Sequence, residues 1–314
     1  MAFRVHCIGQ RFFRCALGGA SPGLSGRLQM NVEFREFRTE DLPAVGEFLN
    51  RVEPSRDPVS WQKAIVPCWP WDGDVFGQML VIDGVLSGVV CQLQCRRRYG
   101  EKIRTGCNIA SWYVLPELQG KGFGVQLLGA ALSNGDWVYT NQTPEPYTIN
   151  AFKRVGFEVI DTTEWIIPNV PRWRRGDFVE ASDIAGHLSG EALKNFTAHA
   201  ELPSVGHVGL MGPDDTFCHI AFVRSRWHKL SVARIIYASN YEALTQCIPA
   251  FSHIALMHYG LLLTAIEKRR CAKRPEMAIA DRWKDPILYR GDGIHPDQID
   301  SLYCEVVSAS PNLR

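Results

Sequence analysis

The segment Gln119-Gly120-Lys121-Gly122-Phe123-Gly124 sets three glycines at alternate positions, directly before the apolar-rich run Val125 to Leu128. Without a Cβ, the backbone at each of these positions can approach a ligand closely. A helix that begins inside such a run turns its unpaired first N–H groups outward, and its dipole adds to them. The product is an anion cradle suited to phosphate. The segment does not read as a P-loop, because no Gly-Lys-Ser/Thr follows a four-residue gap. Nor is it a dinucleotide fingerprint, since the third glycine is missing at the required spacing and the strands before it are hairpin-connected. What it matches is Gln/Arg-x-x-Gly-x-Gly/Ala.

A cradle of this kind needs a strand in front of it and a helix behind. Val32 to Phe37 alternates as a strand, and Thr39 then precedes a helical pattern of Leu42, Val45, Phe48 and Leu49. Three strand-like stretches follow, Gln78 to Ile82, Val85 to Arg97 and Lys102 to Val114. Asp83-Gly84 and Tyr99-Gly100 supply the hairpin turns between them. The third strand ends at Pro116. Beyond the cradle, Asp136 to Asn141 reads as a strand, and the helix from Asn150 is capped by Gly156 before another strand.

Taken together, residues 33 to 167 resemble the GNAT superfamily, the acyl-CoA-dependent N-acyltransferases. The signature follows a strand ending in Val114-Leu115-Pro116, and the Gly156-Phe157 ending of the later helix is a second matching segment. The resemblance implies an α/β fold with a mixed, mostly antiparallel central sheet flanked by helices. It also implies acyl transfer from acetyl-CoA or another acyl-CoA to an amine or hydroxyl of a small-molecule acceptor. The alternative is a non-catalytic acyl-CoA-binding scaffold. In either case the backbone around Trp112, Tyr113 and Val114 would pair with the pantetheine arm. Gln119, Gly120, Lys121, Gly122, Phe123 and Gly124 would hold the pyrophosphate, and Asn141 would face the arm.

Two catalytic positions depart from the family's pattern. Phe152 stands where relatives often carry the tyrosine that protonates the departing thiolate, and a phenyl ring has no proton to give. Tyr147 is the nearest substitute, unless it is a half-buried tyrosine at a helix start. The stretch Lys102 to Val114 contains no Asp or Glu to act as base, which leaves Ser111 as a residue able to hold a water. Trp61, Trp69 and Trp71 form either an aromatic wall for the acceptor or part of the domain's own packing. Arg96-Arg97-Arg98 reads as a solvated run or as a site for an acidic acceptor.

The length of 314 residues suits two domains. Residues 1–30 carry four arginines and no acid, and read as a disordered leader or an over-long start before Met30. The first domain is expected over 31–168 and the second over 169–314, after a linker from Pro168 to Arg175. A short helix from Ala181 to Leu188 is followed by strands Phe217 to Val223 and Leu230 to Tyr237. A helix through Leu244, Cys247, Ile248, Phe251 and Ile254 then leads to strand Leu261 to Ile266. That order repeats the first domain and suggests a second, degenerate GNAT-like copy, because Tyr237 to Tyr241 lacks the glycine pattern. The tail is expected to form a strand at Pro286 to Asp292 and a closing helix from Ile299 to Val306.

A net charge of +1, from 34 basic and 33 acidic residues, gives no bulk field for nucleic acid or an anionic membrane. Ten scattered cysteines without a Cys-x-x-Cys pair, and histidines without chelating spacing, point to free thiols in a cytoplasmic protein and to no metal. The partners expected are the small-molecule acceptor and, at most, a second copy of the chain as a homodimer.

Overall fold

The computed structural model describes residues 30–171, 178–282 and 286–308. Residues 1–29 of the expected leader and 172–175 of the expected linker lie outside them. The first half runs β1 (Val32–Phe37), α1 (Leu42–Val52), α2 (Pro58–Ala64), β2 (Gly77–Ile82), β3 (Val85–Tyr99), β4 (Lys102–Val114), α3 (Phe123–Ala131), β5 (Val138–Asn141), α4 (Ile149–Arg154) and β6 (Glu158–Ile160). The second begins with β7 (Thr163–Pro168), β8 (Val179–Ala181), α5 (Gly190–His199), β9 (Val205–Met211), β10 (Phe217–Trp227) and β11 (Leu230–Ala238). It ends with α6 (Tyr241–Met257), β12 (Leu263–Glu267), β13 (Ile279–Arg282), β14 (Ile287–Arg290) and α7 (Glu305–Ser308).

Two mixed, mostly antiparallel seven-stranded sheets result, ordered β1-β2-β3-β4-β5-β14-β6 and β13-β7-β12-β11-β10-β9-β8. Asp83 and Gly84 turn the first hairpin with φ of 49° and 79°, the left-handed pair that matches strand twist. Helices cover both faces of the first sheet, which is why Ser87 through Cys95 of β3 are buried without alternation. On one face Val90, Ile109, Leu127 and Leu128 pack with Phe152; on the other Phe48, Leu49 and Trp61 pack with Val89. A separate core joins the two sheets, with Trp69 and Leu93 against Val223 and Tyr237 and against Leu302 and Tyr303 of the tail.

The order β9-β10-β11-α6-β12 repeats β2-β3-β4-α3-β5, including the single parallel pair on each side of the helix. The sheets do not part at residue 168, however. β7, expected to close the first domain, pairs with β12 and β13 in the second sheet. β14, from the tail, inserts between β5 and β6 of the first. Asp161 starts this exchange: its Oδ1 accepts from the N–H and the hydroxyl of Thr163, at 3.0 and 2.7 Å, turning the chain out of β6 and into the other sheet.

Two expected helices are displaced. Residues 181–188 hold the end of β8 and a 3-10 turn at Ala185–His187, and the helix starts at Gly190 instead. The closing helix shrinks to Glu305–Ser308. At its expected start, the Ile299 carbonyl accepts from the guanidinium groups of Arg269 and Arg270 rather than from the chain ahead of it. Strands β9 and β13 were not anticipated.

Leu288 of β14 is fully buried in the first core. Leu288→Ala should therefore destabilise the first domain by about 2–5 kcal/mol, read from its denaturant midpoint. An unchanged midpoint would mean that the tail strand is dispensable to that sheet. Among the described residues, no helix is long and apolar enough to cross a membrane.

Candidate active site

At the end of β4 the Leu115 N–H donates to the Ser87 carbonyl at 2.9 Å. The Gln119 side chain donates to the Val114 carbonyl at 3.0 Å, tying the glycine turn back to its strand. Gly120 and Gly122 sit at φ of 74° and 88°, and Gly122 is the N-cap of α3. Among the described residues the N–H groups of Gly120, Gly122, Phe123, Gly124 and Val125 meet no acceptor. Five donors thus converge on one helix start, the arrangement that binds anions. The space above the turn is open: a Cβ on Gly120 would meet nothing within 4 Å, and one on Gly122 would meet only the Gln126 amide at 3.8 Å. Gly124 serves packing, since its Cβ would lie 3.3 Å from the Trp112 ring.

β4 pairs with β5 only over Gly106–Asn108, opposite Val138–Thr140. It then runs six more residues to Val114, about 20 Å at strand rise. Because Leu115 and Tyr113 face β3, the N–H and C=O groups of Trp112 and Val114 face the edge that β5 has left. A bulge accompanies the splay. Cys91 is opposite Ala110 and Val90 is opposite Trp112, so Ser111 is the extra residue, held at φ 44°. A non-glycine residue in that region carries strain, and a bulge re-aims the chain beyond it.

A cavity of about 150 Å³ fills the splay. It brings together Ser111, Trp112, Tyr113, Asn141, Tyr147 and Phe152. Val114 and the turn from Gln119 to Gly124 do not line it; they lie at the far end of the same strand edge. Tyr147 is 61% exposed, whereas Phe152 is 1% exposed and packs edge-on against Trp112 and Phe157. Of the three tryptophans only Trp61 reaches the cavity. Trp69 is in the inter-sheet core with its indole N–H on the Gln94 carbonyl at 2.8 Å, and Trp71 packs on Gly73. Arg97 is not a solvated charge but a buried partner of Asp300.

The sequence reading missed Glu305. This half-buried residue reaches the cavity from the tail, where its carboxylate accepts from Asn108 Nδ2 and, at 2.6 Å, from the Thr143 hydroxyl. Asn108 is oriented in turn by the Thr140 hydroxyl at 3.1 Å. Burial pushes the Glu305 carboxyl above the ordinary carboxylate range, against the hydrogen bonds from Thr143 and Asn108 that favour its charged form. Asn108 and Thr140 are the last residues paired between β4 and β5, so Glu305 sits at the vertex of the splay. Nothing near residue 305 marks it in sequence, because its approach depends on β14 crossing into the first sheet.

In the second sheet the matching helix start is closed. Asn240 caps α6 through its side chain, which accepts from the Ala243 N–H at 3.0 Å.

No family model matches this sequence, and no curated protein matches it. Solved structures do match its fold. A GCN5-related N-acetyltransferase from Anabaena variabilis is 14% identical with a TM-score of 0.53, over 83% of this chain and 72% of that one. A conserved protein from Enterococcus faecalis is 12% identical with a TM-score of 0.50, again over 83% and 72%. The GCN5-related glucosamine N-acetyltransferase region of a fungal multi-domain beta-N-acetylglucosaminidase is 11% identical with a TM-score of 0.54, over 84% of this chain and 38% of that one. The fold is thus that of the GNAT superfamily. The chain carries it twice, with an open glycine turn in the first copy and a capped one in the second.

Proposed function

We propose that the protein is an acyltransferase that moves the acyl group of acetyl-CoA or a longer acyl-CoA onto a small-molecule acceptor. The observation that carries this reading is the alignment, along one strand edge, of five free backbone N–H donors, an unpaired stretch of β4 and a cavity at the splay. The donors from Gly120 to Val125 receive the pyrophosphate. Trp112 offers its N–H and C=O, and Val114 its N–H, to the pantetheine arm as an added strand would, the Val114 carbonyl being held by Gln119, with Asn141 on the opposite wall. Rate enhancement comes from holding thioester and acceptor together and from backbone dipoles at the bulge.

Tyr147 is the proton donor to the departing thiolate in this reading. Tyr147→Phe should lower kcat by about 100-fold while leaving the Kd for acetyl-CoA unchanged. An unaltered kcat would make Tyr147 a surface residue only. Calorimetric titration of the folded protein with acetyl-CoA and with a longer acyl-CoA tests the reading at its base, and absence of binding by both sinks it.

One observation favours a second reading, a binding protein that does not turn over. Phe152 closes the expected proton-donor position with carbon, packed between Trp112 and Phe157. Acyl-CoA binding without thiol release across amine and hydroxyl acceptors would select it.

A further inference from the structure

Seven consecutive residues of the second domain, Lys268 to Arg274, carry five positive charges. They follow β12 and lead to β13, the outermost strand of the second sheet. Arg269 is engaged inside the protein, by the carboxylates of Glu267 and Asp297 and the carbonyls of Pro296 and Ile299. Lys268, Lys273 and Arg274 are exposed, and among the described residues no carboxylate lies within ion-pairing distance of them. The acids next to them in β7 and β13 are already engaged, Glu164 by Arg234 and Asp281 by the Trp227 indole, which leaves Glu276 as the loop's own exposed acid. Lys268 Nζ and the Arg274 guanidinium carbon lie 5.3 and 5.5 Å from the centre of the Trp165 ring. Trp165 is opposite Ala280 in the ladder of β7 and β13, so these cations sit over the sheet one strand in from its edge.

Facing residues of an antiparallel ladder put their side chains on the same side of the sheet. Ala280 therefore shares the side of Trp165, Lys268 and Arg274, whereas Ile279, 49% exposed, shares the other side with Ile166. β13 pairs with β7, and among the described residues no strand pairs with its other edge. An open edge presents backbone donors and acceptors that a further strand can satisfy. We propose that the β13 edge docks an extended segment of a partner protein in which acidic and apolar residues alternate. The segment adds to the sheet as one more strand. Because side chains alternate across a strand, its carboxylates fall on the side of Lys268 and Arg274 and its apolar residues beside Ile279. Two strand spacings put it about 10 Å from β7, within the joint reach of a lysine and a glutamate side chain. A flat anionic membrane would meet the cations on one side of the sheet and leave Ile279 on the other, so the arrangement favours a strand. The site uses no residue of the glycine turn or the splay cavity, and it stands independently of the acyltransferase reading.

The experiment titrates the full chain with a short fluorescent peptide alternating glutamate and valine, blocked at both ends. It is compared with the same peptide N-methylated along its backbone, with the double variant Lys268→Glu and Lys273→Glu, and with phosphatidylserine vesicles added as competitor. Both lysines are exposed, so the variant should keep the wild-type thermal midpoint, and the N-methylated peptide tests strand addition on the unaltered protein. The expected result is saturable binding by wild type that added salt weakens. N-methylation and the double substitution should each lower the affinity by about tenfold or more, and the vesicles should leave the peptide bound. No binding of the peptide by the folded chain, equal affinity for its N-methylated form, or unchanged affinity in the double variant would each overturn the proposal. Displacement of the peptide by the vesicles would also overturn it and make the basic loop a membrane-facing surface.

Discussion

Gly122→Asp should abolish acyl-CoA binding in a protein that still folds. The site has room for the side chain, since the Cβ position meets only the end of Gln126 at 3.8 Å. The backbone there is left-handed at φ 88°, which aspartate and asparagine tolerate better than other residues with a Cβ. What changes is charge. A carboxylate about 4 Å from a pyrophosphate meets a repulsion of about 4 kcal/mol at an effective dielectric near 20. At about 1.4 kcal/mol per decade that removes two to three decades of affinity. Gly122→Asn separates charge from bulk and should stay within about tenfold of wild type by the same conversion. Calorimetry on both variants measures the difference. Equal affinity of Gly122→Asp and wild type would show that the turn is structural and that the anion binds elsewhere.

The turn was legible in the sequence because everything that makes it is local. Three glycines, a preceding strand and a following helix lie between Lys102 and Ala131, and turn chemistry and periodicity both act over that range. β1, the meander of β2, β3 and β4, and the start of α3 were readable for the same reason. β4 was located to the residue as Lys102–Val114. Residues 181–188 show how the same rules mislead: a helix was expected there, whereas Ala181 ends β8, which pairs with β9, and the helix begins only at Gly190.

The exchange of β7 and β14 was not legible, for a physical reason. Thr163–Pro168 and Ile287–Arg290 are short apolar runs that satisfy any open sheet edge, and pattern alone does not say which edge is nearest. The choice is made by the Asx turn at Asp161 and by the inter-sheet core around Trp69 and Tyr303. Glu305 was hidden by the same exchange. Its partners Asn108 and Thr143 are more than 160 residues away in sequence, as the separations of 197 and 162 record. No acidic residue of β4 itself reaches the cavity, because β4 has none; the carboxylate there comes from the tail.

Because the tail delivers Glu305, whatever holds the tail also holds the site, and one such hold is the buried ion pair of Arg97 and Asp300. Two parallel hydrogen bonds of 2.7 and 2.5 Å join the guanidinium to the carboxylate. The Arg97 side chain is 9% exposed and that of Asp300 6%, with the guanidinium packed against Tyr99 and Tyr303. Asp300→Asn keeps the shape and strands the Arg97 charge, a change that costs about 3–5 kcal/mol in buried pairs. The expected outcome is a lower thermal midpoint together with loss of the proposed acyl transfer, while acetyl-CoA, whose proposed pyrophosphate site is at the other end of the β4 edge, should still bind. Arg97→Met combined with Asp300→Leu fills the same space without charge and should recover most of the stability. The pH dependence has a definite sign. Burial pushes the Asp300 carboxyl up, but the charge and hydrogen bonds of Arg97 outweigh it and leave the group below its ordinary value of 3.8. A lowered carboxylate contributes stability that is complete above that ordinary value and is lost as the pH falls through the lower folded one. Tail docking, followed by limited proteolysis near residue 300, should therefore persist down to about pH 4 in wild type, whereas Asp300→Asn should be cleaved at neutral pH. A variant as resistant as wild type at pH 7 would show that the tail is held without this ion pair.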